Sequence, residues 1–222
     1  MKVNLRKLMQ LIVFFAHHEA VQPLGKTKLF KLLYFTDVTH LRTAGEPITG
    51  AEYLKYPYGP VPMQGDFALK ELRKHRLISQ KRVQMPNERF IREVTALQMP
   101  DMTIFTEHEV ITIQRVIHEY GEDTAFVLSW KSHQESAWLF ADDWMPLKLT
   151  PAKQSTENDG ENVESIALLE QWYATPDDKP PGYWDDLLAE IETHPLHFGD
   201  ERGLVENYAQ EFPDITRPRA DP

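Results

Sequence analysis

The run Tyr53-Leu-Lys-Tyr-Pro-Tyr-Gly-Pro-Val-Pro62 does most to limit how this chain can fold. Pro57, Pro60 and Pro62 each fix φ and restrain the residue before them, while Gly59 alone is free to turn. The run therefore predicts a stiff loop walled by Tyr56 and Tyr58. Holding such a loop in one shape costs little entropy, so it reads as a contact surface rather than a place for acid–base chemistry.

Helical patterns flank it. A first helix runs from Asn4, as N-cap, to about Glu19, with Leu5, Leu8, Met9, Ile12, Phe15 and Ala16 on one face. Val21-Gln-Pro-Leu-Gly25 breaks it, and a second helix from Lys26 to Leu41 turns Leu29, Leu32, Leu33 and Thr36 inward. Lys26, Lys28 and Lys31 lie in and near its first turn, where cations oppose the helix dipole by about a few tenths of a kcal/mol each. Helix stability does not explain them, whereas an acidic contact would. A turn at Gly45-Glu-Pro47 and an extended segment from Ala51 to Tyr56 lead into the loop.

Beyond the loop, Met63 to His75 reads as a third helix with Phe67, Leu69 and Leu72 inward. Leu77–Val83 and Phe90–Val94 alternate in strand period around Met85-Pro-Asn-Glu88, a hairpin signal. A helix followed by a hairpin carrying Lys81, Arg82, Arg89 and Arg92 has the outline of a winged helix and keeps nucleic acid among the candidate partners. Thr106-Glu-His-Glu109 is a capping box, followed by Val110, Ile113, Val116, Ile117 and Tyr120 at helical spacing, with Gly121 as C′. A shorter helix from Thr124 to about Ser132 precedes His133 and Trp138. These elements predict a predominantly helical α+β fold, a compact helical domain with a small β-hairpin. The predicted boundaries are 1–148 for that domain, 149–162 for an acidic polar linker, 163–216 for a helical C-terminal extension and 217–222 for a disordered tail.

Composition narrows the functional classes. No apolar run approaches the roughly 18 residues of a membrane span, and the charged start is not a signal peptide. A soluble, cytoplasmic protein with no membrane partner is expected. Without cysteine there is no disulfide, thiol nucleophile or thiolate metal site. The net charge of −10 is unevenly spread: residues 1–95 hold 16 Lys/Arg against 8 Asp/Glu, and the remainder hold 8 against 26. Such segregation fits a nucleic-acid face with an acidic tail, an acidic segment folded over a basic one, or a surface for a charged protein.

Catalytic signatures are incomplete. Gly25-Lys26-Thr27 ends like a phosphate-binding loop, but the pattern needs Gly where Ala20 stands and a strand before it. His17-His18-Glu19 and His194-Pro-Leu-His197 lack a metal-ligand pattern, and no Gly-x-Ser-x-Gly is present. The chain is read as non-catalytic, with no cofactor and no metal.

The order of elements is informative as a whole. Lys28-Leu-Phe-Lys-Leu-Leu-Tyr-Phe-Thr-Asp37, His40, Gly45-Glu-Pro47, Tyr56-Pro-Tyr-Gly-Pro-Val61, the capping-box helix and Leu128-Ser-Trp-Lys-Ser-His133 with Trp138 together resemble the Panacea, or SocA-like, antitoxin domain, over about Val3 to Phe140. The resemblance implies a prokaryotic or phage-associated domain that neutralises a toxin encoded beside it by direct protein binding, with presentation to a cellular protease as another route. Weak nucleic-acid binding or none is expected, because the acidic second half would repel or compete with it; the alternative is a winged-helix-like regulator using the basic hairpin. The residues expected to meet the partner are Lys28, Lys31, Tyr34, Lys55, Tyr56, Tyr58, Gly59, Pro60, His133 and Trp138. Several of these carry a second reading. Tyr56 and Tyr58 divide between surface contact and packing beneath the loop. His133 and Trp138 read either as lining a ligand pocket or as a histidine bonding a helix end beside a tryptophan that closes the core, and Lys28 and Lys31, with Lys26, read alternatively as pairing internally with the acidic half.

Overall fold

A computed structural model describes residues 2–85 and 90–151. The predicted linker beyond 151, the extension and the tail lie outside the described residues. The described chain is a helical α+β unit built around two buried helices, α1 (Leu5–His17) and α2 (Lys26–Ala44). Asn4 caps α1 through a hydrogen bond from the Lys7 amide to Oδ1 (3.0 Å). The unbroken run Leu11–Ala16 is buried, so α1 is covered on more than the one face its periodicity suggests.

α2 is covered more fully still. It packs against the hairpin formed by β1 (Tyr53–Tyr56) and β2 (Gly59–Pro62), and against α4 (Glu107–Tyr120) and α5 (Ala125–His133). Thirteen of its 19 residues are buried, and these include Lys28, Lys31, Asp37 and His40. The Asp37 carboxylate accepts hydrogen bonds from the Thr49 amide (2.7 Å), the Thr49 hydroxyl and the Tyr53 hydroxyl (2.8 Å). Those bonds satisfy an otherwise costly buried charge and tie the segment after the Gly45 cap onto the middle of α2.

The predicted loop is a hairpin. Tyr53 pairs with Pro62, Leu54 with Val61, Lys55 with Pro60 and Tyr56 with Gly59, leaving Pro57 and Tyr58 as the turn. Its prolines are tolerated because β2 is an edge strand, where a missing amide donor removes no ladder bond. The other edge of β1 is taken by the chain at 144–147: the Trp144 amide donates to Lys55 O (2.9 Å), the Lys55 amide to Met145 O (3.0 Å) and the Leu147 amide to Tyr53 O (2.7 Å).

The rest follows the periodicity closely. α3 (Gly65–Lys74) buries Ala68, Leu69 and Leu72 and leaves Phe67 half-buried rather than inward. β3 (Ile78–Gln84) and β4 (Phe90–Ala96) form the second antiparallel hairpin. In α4 both bonds of the Thr106–Glu109 capping box form, and Lys7 reaches Glu109 from α1 at 2.5 Å. Ile113, Val116 and Ile117 are buried there, while Val110 and Tyr120 are half-buried. Gly121 follows at φ −61°, so it prolongs the right-handed turn and is not the left-handed cap its position suggests. α6 (Ser136–Leu139) closes the set.

Candidate functional site

The tip of the β1–β2 hairpin is seated against α2, α5 and α6, and eight of the ten expected contact residues, all but Lys28 and Tyr34, meet there. Gly59 adopts φ +90°, and a Cβ at that position would lie 2.2 Å from Ser132 Oγ and 2.9 Å from Lys31 Cε. Only glycine permits both the backbone conformation and the approach. The approach brings Pro60 over α2, where its carbonyl accepts a hydrogen bond from Lys31 Nζ (2.8 Å).

Lys31 is therefore not a surface cation. Its side chain is 1% exposed, and burial pushes its pKa down to about 7, since no carboxylate pairs with it among the described residues. Lys28 is also buried and its pKa is lowered by burial, with Asp123 acting in the opposite sense. Lys28 and Lys31, expected to meet a partner, are thus buried, because α2 is wrapped by the hairpin and by α5, while Lys26 makes the expected acidic contact with Asp66. Tyr34 is wholly buried too, stacked edge-to-face on Tyr53 (5.3 Å between centroids), and its hydroxyl has no hydrogen-bond partner among the described residues. Its pKa is raised, first by burial and then by Glu135.

Outside this buried layer lies an aromatic one. His133, at the end of α5, stacks on Trp138 with centroids 3.9 Å apart, and its Nε2 is buried without a hydrogen-bond partner among the described residues. Burial first, then the charges of Lys31 and Lys55, push its pKa down to about 4. His133 is thus a neutral ring at neutral pH, and it does not bond a helix end through Nε2. Trp138 Nε1 donates to Tyr56 O (3.4 Å), and Lys55 Nζ sits 4.3 Å from the Trp138 ring centre while donating to Ala141 O (2.9 Å). Lys55 also pairs with the exposed Asp143 at 3.4 Å. The two tyrosines divide the work: Tyr56 is buried beneath the hairpin, and Tyr58 at the turn is half-exposed.

Sequence reasoning missed the outermost layer. Trp144 packs edge-to-face on Tyr56 (4.8 Å) and is 48% exposed, Met145 beside it is 54% exposed and Phe140 70%. Phe140 and Met145 line a shallow groove with Ala137, Pro146 and Leu147. Trp144 is held at φ +68°, a conformation that a bulky residue adopts only when its surroundings impose it. A sequence signal existed in Trp138-Leu-Phe-Ala-Asp-Asp-Trp-Met145, an aromatic run with no helical or strand period. What identifies it as a surface is the pairing of 144–147 with β1, which holds Trp144 above the hairpin.

The layers make a rigid apolar rim over a basic, dehydrated floor. Both perturbed amines, Lys28 and Lys31, are buried below that surface. Among the described residues no three His, Asp or Glu are grouped to hold a metal ion, and no helix is long and apolar enough to cross a membrane.

No curated protein and no solved structure matches the chain. A family model does: the antitoxin SocA-like, Panacea domain, over residues 29–139, from the first turn of α2 to the end of α6. The matched span holds every one of the ten contact residues except Lys28, together with the whole β1–β2 hairpin. On that match, the chain belongs to the SocA-like antitoxin family through its Panacea domain.

Proposed function

We propose that this protein neutralises a cognate toxin, encoded nearby, by direct protein–protein binding through the aromatic rim above the β1–β2 hairpin. The observation that carries the reading is the group Phe140, Trp144 and Met145, exposed together and backed by Tyr56 and Trp138. Aromatic and methionine side chains on a fixed backbone bury large area at little entropy cost, as the central anchors of interfaces do. Here the backbone is fixed twice, by the bonds of 144–147 to β1 and by the Gly59 contact beneath. Tyr58 extends the rim at the turn, while Lys55 and Asp143 supply charge at its border. Lys31, Gly59, Pro60 and His133 act from below by holding the hairpin in place. Lys28 and Tyr34 belong to the core of the same unit.

Co-expression tests the reading. The neighbouring reading frame expressed alone should arrest growth, and this chain should relieve the arrest and co-purify with its product. Trp144→Ala with Phe140→Ala should leave the circular dichroism spectrum intact and raise the dissociation rate at least about tenfold, since each buried aromatic anchor is worth about 2 kcal/mol or more. Rescue without association, or an unchanged dissociation rate in the double variant, would remove the rim from the mechanism.

A further inference from the structure

We propose a second binding surface on the opposite kind of chemistry: the exposed cations at the C-terminal end of α3 and on the distal part of the β3–β4 ribbon, beyond the buried Ile78 and Val94, grip the phosphate backbone of duplex DNA. Arg82 and Arg92 are direct cross-strand partners, so their side chains leave the same face of the ribbon side by side. Like charges placed opposite each other destabilise a ribbon, and neither arginine has a carboxylate partner among the described residues. Among the described residues the stacking of Arg82 on Phe90 engages one of the two guanidinium groups, and no carboxylate offsets their repulsion.

The same face continues onto α3. Arg73 Nη1 donates to Gln80 Oε1 (2.9 Å), and Gln80 stands two residues before Arg82 and therefore on its side of the ribbon. Lys70 is one turn before Arg73 on the helix, and Arg76 follows the helix at φ +56°; all are exposed. Five exposed cations thus lie on the C-terminal part of α3, the residues that follow it and the distal part of the ribbon. Lys74 is excluded because it pairs with Glu71, and Lys81 because it points to the other side of the ribbon, opposite Glu93.

Shape selects the form of nucleic acid. A two-stranded ribbon enters the major groove of B-form DNA, whereas the major groove of an A-form RNA duplex is too narrow and deep. Single strands need free aromatic faces on which bases stack, and the ribbon's exposed ring, Phe90, is already covered by the Arg82 guanidinium at 4.2 Å. The ribbon sits in the groove, Arg82 and Arg92 reach the flanking phosphates, and Lys70, Arg73 and Arg76 extend the contact along one backbone. The contact is sequence-tolerant, because phosphates carry no base identity.

Fluorescence anisotropy of the full-length chain with a labelled DNA duplex of about two helical turns tests this. Binding should appear at low salt, with log K falling against log salt at a slope of about −4 to −5 for five neutralised phosphates. Arg82→Glu with Arg92→Glu should weaken binding at least about tenfold and flatten the slope by about two. Arg115→Glu with Lys2→Glu, the same change in net charge elsewhere, should do neither. Lys70→Glu with Arg73→Glu provides a second route should the ribbon variant misfold by circular dichroism. Absence of binding at low salt, equal loss in the Arg115/Lys2 control, equal affinity for duplex RNA, or stronger competition by polyglutamate than by unlabelled DNA would each overturn the proposal. Toxin rescue by the Arg82/Arg92 variant should remain, which separates this surface from the aromatic rim.

Discussion

Replacing Lys31 with methionine should make the protein more stable at pH 6 and less so at pH 9.5. Lys31 is 1% exposed, its pKa lies at about 7 against 10.5 in the unfolded chain, and its hydrogen bond is to Pro60 O. Between pH 7 and 10.5 the unfolded chain holds a proton that the folded one has released, so stability rises with pH through that window. Below pH 7 both states are protonated and the full burial penalty is present, roughly 5 kcal/mol at about 1.4 kcal/mol per pH unit. Methionine matches the length of the stem and carries no charge, but leaves the Pro60 carbonyl without this donor at a cost of about 1–3 kcal/mol. The variant should therefore be about 2–4 kcal/mol more stable than the parent at pH 6. The advantage should shrink by roughly 3 kcal/mol by pH 9.5, as the parent's lysine is deprotonated in its folded state. Urea unfolding followed by circular dichroism at both pH values, with the parent in parallel, reads the difference directly, and lysines common to the two proteins cancel. A difference in stability that stays constant from pH 6 to 9.5, or a methionine variant weaker at pH 6, would refute the claim that Lys31 is buried as an uncompensated amine.

Two further outcomes follow from the same site. Gly59→Ala combines a positive φ with a Cβ set against Ser132 Oγ, and should cost about 2–5 kcal/mol; a thermal midpoint lowered by roughly 5–15 °C would register it. His133 titrates at about 4 when folded, so its contribution is complete above pH 6.5 and is lost as pH falls from 6.5 to 4. His133→Phe keeps a ring on Trp138 and should flatten that acid limb by up to roughly 3 kcal/mol, measured by urea unfolding at pH 4.5 and 7.

Local chemistry determined much of this protein. Asn4 and the Thr106–Glu109 box cap the helices they precede, Gly45 takes the left-handed cap of α2, and the alternation around residues 78–94 gives the second hairpin, because each signal acts within a turn or a strand pair. The ordered set of motifs from α2 to Trp138 was equally legible, and it is the span that the family model matches. The candidate site was half-legible: the residues gathered at the hairpin were named without their depth, and Phe140, Trp144 and Met145 were not named. Periodicity assigns one inner face to a helix, whereas α2 is enclosed by α4, α5 and the hairpin, so Lys28 and Lys31, expected at a partner surface, are buried among side chains distant in sequence. The same long-range packing turned a proline-rich loop into an edge strand and lifted Trp144 and Met145 into the rim, through hydrogen bonds spanning roughly ninety residues of chain. Burial depends on what covers a residue, and that cover is supplied by tertiary structure alone.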